Sequence, residues 1–141
     1  MSYKSTYTGT EIDDSVAFAK THSTGTWQAT LTASVTGPTY PVTVTGSYTK
    51  IGNQITAICS FVGVNTSGAS GDMQVTGLPF TVGSVDCHGI VGQNSLGGAV
   101  LMCTAVAGTN ILAIRDAATT VYTPIAAGAG KYLLIQITYI V

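Results

Sequence analysis

The residues that could do chemistry are few and scattered. Asp86-Cys87-His88 places a carboxylate, a thiol and an imidazole in succession, and the only other histidine is His22. A Cys-His nucleophile needs its base within hydrogen-bond reach, whereas neighbours on a strand point to opposite faces. A zinc site needs a second ligand pair at suitable spacing, and none follows, so no metal and no cofactor are expected. Asp13-Asp14 is explained by acids at a helix start, since adjacent helical residues diverge by about 100 degrees. Hydrolysis of a glycan would need two carboxylates about 5–10 Å apart. Asp72, Asp86 and Asp116 are the candidates by elimination, with turn formation the competing explanation for Asp72 and Asp116. No catalytic constellation emerges, and the chain is expected not to be an enzyme.

Binding chemistry has slightly more to work with. Gln93 and Asn94 offer amides to sugar hydroxyls, and Arg115-Asp116 with Tyr122 could supply a charged pair and a stacking ring. A solvated turn and a structural salt bridge are the respective alternatives. Trp27 opens an alternating strand, which makes it a core anchor before it is a sugar platform.

These side chains must be positioned by a chain of 141 residues, one domain of ordinary size. Charged residues make up only 8%, against roughly a quarter in typical soluble proteins. Such a surface must be polar but uncharged, or hidden in partners, and obligate assembly is the natural expectation. A net charge of -1 without a Lys/Arg cluster gives no reason to expect nucleic-acid binding. No apolar run has the length of a membrane span, and no signal peptide opens the chain, so synthesis in a cytoplasm is expected. The three cysteines, Cys59, Cys87 and Cys103, read as free thiols, not a disulfide framework.

One helix is predicted, over Glu11 to His22, with Thr10 as its cap. Ile12, Val16 and Ala19 share one face; at about three turns the helix is marginal alone and must dock on its own subunit or on copies of itself. From Trp27 the period changes to two, with Trp27, Ala29, Leu31, Ala33 and Val35 on one face. Further strands are predicted at Val42–Thr45, Met73–Val75, Val85–Val91, Ala99–Ala107, Asn110–Ile114, Thr119–Tyr122 and Lys131–Val141. The last is apolar on both faces, so it should be central or at an interface, with Tyr139 and Val141 assigned to a subunit contact. Two segments follow: 1–24, for attachment or trimerisation, and 25–141, an all-β domain expected to be an antiparallel, jelly-roll-like β-sandwich.

Ser47 to Ile51 alternates into Gly52-Asn53, a tight turn, and reverses into Gln54 to Val62, which carries apolar residues on both faces. In Val75 to Thr81 (VTGLPFT), Pro79 lacks a ladder donor and Gly77 permits a bend, so a strand ends there.

Gly25-Thr26-Trp27 with Leu31, then Tyr48-Thr49-Lys50-Ile51-Gly52-Asn53, then VTGLPFT stand in an order that resembles C-terminal β-domains of bacteriophage tail fibres and receptor-binding spikes. Tyr7-Thr8-Gly9 with Ile12-Asp13 is similar to a phrase that precedes a short helix in phage appendage proteins. The resemblance implies a homotrimeric virion protein whose N-terminal segment plugs into other virion proteins and whose body presents a host-receptor surface, a cell-surface glycan being the expected ligand. The alternative is a capsid decoration or head-fibre protein that stabilises the shell. The short stretch between Met1 and the β-domain, with no shaft, favours that rival.

Overall fold

The computed structural model describes residues 8–96 and 100–141. Among these residues a single helix, α1 (Gly9–Lys20), precedes eight strands: β1 (His22–Ala33), β2 (Val42–Ile51), β3 (Gln54–Val64), β4 (Met73–Thr76), β5 (Cys87–Asn94), β6 (Leu101–Ala105), β7 (Ile111–Asp116) and β8 (Lys131–Ile140). The strands form one closed barrel in the order β1-β2-β3-β8-β5-β6-β7-β4, and every pairing is antiparallel.

The closed barrel overturns the expected jelly-roll sandwich; the all-β, antiparallel character and the short helix stand. Two strands make the difference. β8 bonds to β3 through Gln54↔Ile140 to Phe61↔Leu133 and to β5 on its other side. β4, only four residues long, bonds to β1 through Leu31↔Val75 and to β7 through Val75↔Leu112. A sandwich leaves strand edges at each sheet, whereas these two junctions close the circuit.

Alternation dictates what fills the interior. Trp27, Ala29 and Leu31 of β1, Ile55, Ala57, Cys59 and Phe61 of β3, and Leu133, Ile135, Ile137 and Tyr139 of β8 are all buried. An eight-stranded barrel has an interior just wide enough for such side chains to fill. Each large one stabilises the fold by about 1.5–3 kcal/mol. Trp27 is therefore a core anchor, and its Nε1–H donates to the Ser47 carbonyl at 3.3 Å. Cys59 and Cys103 are buried and Cys87 half-buried, and all three are free.

Several boundaries differ from expectation. β1 runs back to His22, into the segment assigned to residues 1–24, of which 1–7 lie outside the described residues. β5 starts at Cys87, not Val85, and Ala99, where the next strand was expected to begin, also lies outside them. Thr119 to Tyr122 forms no strand; only an isolated bridge joins Tyr122 to Arg115. VTGLPFT behaves as expected: β4 ends at Thr76 and Gly77 turns at φ +90°. A Cβ there would sit 2.3 Å from the Gln28 carbonyl oxygen, so the bend and the close approach both require glycine.

Successive strands alternate in direction around the barrel. Consequently α1, the tight Gly52-Asn53 turn, loops 77–86 and 106–110 and the end of β8 share one end. The long loops 34–41, 65–72 and 117–130 all lie at the other.

Candidate functional site

At the helix end, α1 begins with a reciprocal cap that the sequence reading placed at Thr10. The cap is Thr8. Its N–H and Oγ1–H donate to Glu11 Oε2 at 2.6 and 2.9 Å, while Glu11 N–H donates to Thr8 Oγ1 at 3.4 Å. The Thr8 backbone and hydroxyl donors, in that order, hold the Glu11 carboxyl below its ordinary range. Among the described residues the helix's substantial neighbour is β1, and Ile12 and Val16 are 50% and 48% exposed, with Ala19 exposed beside them. These three side chains are spaced by four and then three residues and line one shallow apolar groove. That spacing makes an apolar seam along one face, of the kind that coiled-coil helices present.

Of the two subunit-contact residues assigned to the end of β8, Tyr139 is corrected. Tyr139 is 1% exposed and points into the barrel, and Val141 packs half-buried against the core. Both faces of β8 are apolar, so alternation alone cannot say which is inside. The outward set is Tyr132, Leu134, Gln136, Thr138 and Ile140. Burial pushes the Tyr139 hydroxyl up to about 12. It also closes this end of the barrel by bonding to Phe80, whose ring meets Tyr48 edge-on at 5.3 Å and carries Lys50 Nζ 4.6 Å from its centroid.

At the loop end, the predicted Arg115 and Tyr122 do meet. The guanidinium carbon lies 4.2 Å from the Tyr122 ring centroid, Nη2–H donates to the Tyr122 hydroxyl at 2.9 Å, and Nη1–H donates to the Thr120 carbonyl at 3.4 Å. Asp116 does not complete a charged pair with its neighbour. Its Oδ1 accepts from the N–H groups of Ala118 and Thr119 and from Thr119 Oγ1, all at 2.9–3.0 Å. The Thr119 backbone donor, then its hydroxyl, then Ala118 hold the Asp116 carboxyl below its ordinary range. Asp116 is thus a turn former, as its alternative reading had it. Gln93 is exposed on β5, and Asn94 Oδ1 accepts from Leu96 N–H at 3.3 Å.

The sequence reading missed Tyr40. It is 71% exposed and, with Pro41, Val42, Thr43, Val64 and Asn65, lines a groove of about 250 Å³. Asn65 Oδ1 is engaged by Ser67 N–H at 3.0 Å, and its amide nitrogen is uncommitted among the described residues. An aromatic in the Gly37-Pro38-Thr39-Tyr40-Pro41 loop was the available signal, because no strand alternation there explains it as core.

The reactive groups do not converge. Asp86 accepts from Ala107 N–H at 2.8 Å at the helix end, opposite Asp72 and Asp116. Cys59 and Cys103 have thiols pushed up to about 12, burial being the first cause for each. His88 Nδ1 meets Thr104 Oγ1 at 3.1 Å. Among the described residues no group of three or more His, Cys, Asp or Glu could hold a metal ion, and no helix is long and apolar enough to cross a membrane. No protein-family model matches the chain, and none of the curated proteins does.

Proposed function

We propose that this chain is a non-enzymatic bacteriophage virion protein of the fibre or spike class, a homotrimer joined through its N-terminal helix. Its opposite end carries a surface for a host-cell glycan. The observation behind this reading is the polarity of the molecule. An unpartnered apolar helix stripe, Ile12-Val16-Ala19, occupies one end, and the long loops with exposed Tyr40 and Tyr122 occupy the other.

Each half has a physical rationale. A twelve-residue helix is marginal alone, and its seam gains burial when copies meet around an axis. At the loop end, Tyr40 beside the Asn65 amide and Tyr122 beneath Arg115 combine ring faces with hydrogen-bonding groups, the pairing that binds sugar rings. Asp86 stands at the opposite end from Asp72 and Asp116, and the Asp116 carboxylate is taken up by its own turn, which supports binding without hydrolysis.

Locating the protein on intact particles tests the proposal. Labelling at the tail, with adsorption lost when the protein is removed, is the expected result. Copies spread over the capsid with adsorption intact would instead make it a shell-stabilising decoration protein. The loop-end assignment is tested by Tyr40→Ala and Tyr122→Ala, expected to weaken binding to host cells while melting temperature holds.

A further inference from the structure

Three neighbouring strands turn to solvent a face without Asp, Glu, Lys or Arg. Its outward positions on β3, β8 and β5 carry Ile58, Val62, Tyr132, Leu134, Ile140 and Ile90 among amide and hydroxyl side chains. Ile58, Gln136 and Ile90 form one row across the three strands, and Leu134 lies in the next row beside Ser60 and Gln93. Val62 is 76% and Ile90 69% exposed, and Ile58, Tyr132 and Leu134 are each about 40% exposed.

The patch is shaped as well as apolar. The β5 register shifts between Val91 and Gln93, and Gly92 at that irregularity lacks a side chain. There Ile58, Ile90, Gly92, Leu134 and Gln136 line a recess of about 120 Å³ floored by the buried Ile135. An exposed antiparallel sheet face ordinarily carries polar and charged residues, whereas charge depletion marks the centre of an interface.

We propose that this face is a barrel-to-barrel contact between copies of the chain. The inference rests on the self-assembly reading above and deepens it. Area supports a second copy as the occupant. The exposed apolar surface of the patch is on the order of 500 Å², at the upper range for a monomer. The three helix side chains add on the order of 200 Å², far short alone of the roughly 800 Å² per partner in a stable interface. Covered on both copies, the sheet face alone removes on the order of 1,000 Å² in all, the lower bound for a specific contact. Helices joined at their seam also hold neighbouring barrels at millimolar effective concentration, and two uncharged faces meet without repulsion.

Sedimentation of the full chain and of three full-length variants provides the test. Wild type should sediment as an oligomer. Ile90→Glu should raise its dissociation constant at least tenfold with unchanged circular dichroism, and Val16→Asp should weaken assembly through the helix. If Ile90→Glu perturbs folding, Val62→Lys decides, because that side chain stands almost free. Should both face variants sediment like wild type while Val16→Asp dissociates, this contact is overturned and helix-driven assembly stands. A wild type that stays monomeric at all concentrations overturns both. A monomer in which Ile90→Glu abolishes incorporation into particles assigns the face to another virion protein, and the second-copy proposal fails.

Discussion

The Tyr139 hydroxyl bonds to both backbone groups of Phe80, accepting from its N–H at 3.3 Å and donating to its carbonyl at 3.2 Å. One phenol at the end of the last strand therefore fastens loop 77–86 across the barrel's helix end. Tyr139→Phe keeps the ring and removes both bonds, leaving two backbone groups short of a partner. The expected loss is about 1–2 kcal/mol of unfolding free energy, read by urea denaturation with an unchanged m-value.

The same hydroxyl gives the barrel an alkaline limit. Burial raises Tyr139 from 10.0 to about 12, and raises Cys59 and Cys103 from 9.0 to about 12. For groups raised on folding, the stability they confer is complete below the unfolded values and is lost as pH climbs through the folded ones. Unfolding is therefore expected to become progressively easier between about pH 9 and pH 12. Tyrosinate absorbance should report Tyr139 ionising late or together with unfolding. A full tyrosinate amplitude reached early and reversibly would contradict its burial.

Acid should act first on the helix. The Glu11 carboxyl is depressed from 4.5 by its bonds from Thr8, so its contribution is present above that value and lost as pH falls through the lower folded value. Far-ultraviolet circular dichroism should show α1 fraying below pH 4.5 while the barrel signal persists. Thr8→Ala should produce the same fraying at neutral pH.

Gly89→Ala probes how closely β5 approaches the interior. An added Cβ would lie 2.5 Å from the Gln136 carbonyl oxygen, 2.6 Å from Ile137 Cδ1 and 2.8 Å from Cys103 Sγ. The carbonyl belongs to the β8 ladder and cannot turn aside, so the cost should be about 1–3 kcal/mol. Gly108→Ala, at a loop position with φ +71° but open space, serves as the contrasting site where strain acts without collision.

Arg115→Lys tests the loop-end stack. Lysine keeps the charge but loses the planar group over Tyr122 and the fork that reaches its hydroxyl and the Thr120 carbonyl. Loop 117–130 should become more susceptible to proteolysis, with host-cell binding falling in parallel.

Periodicity made most of the strands legible, and it did so where one face was polar. Trp27, Ala29 and Leu31 against Gln28, Thr30 and Thr32 could be oriented from sequence because threonine and glutamine marked the outside. β8 could not, because Leu134 and Ile140 compete with Ile135 and Tyr139 for the interior; only the register with β3 and β5 decides. Closure was hidden for a related reason. It depends on β4, whose four residues specify a strand but carry nothing that names β1 and β7 as neighbours. Of the loop-end residues, the Arg115–Tyr122 proximity was legible from their short separation along the chain. Asp116 was open to two readings, half of a charged pair or a turn former, and its bonds to Ala118 and Thr119 are the local turn preference that competes with the adjacent arginine.

Because the strands alternate without exception, the last one returns to the end from which α1 departs, and Val141 N–H is tied to the Asn53 carbonyl at 2.9 Å. Any cargo joined after Val141 therefore hangs on the helix side. A peptide or label inserted between Asn65 and Asp72 projects from the far pole instead. The fold thus sorts its own attachment points by pole: a fusion at the carboxyl end shares a pole with α1, and a loop insertion leaves that pole clear.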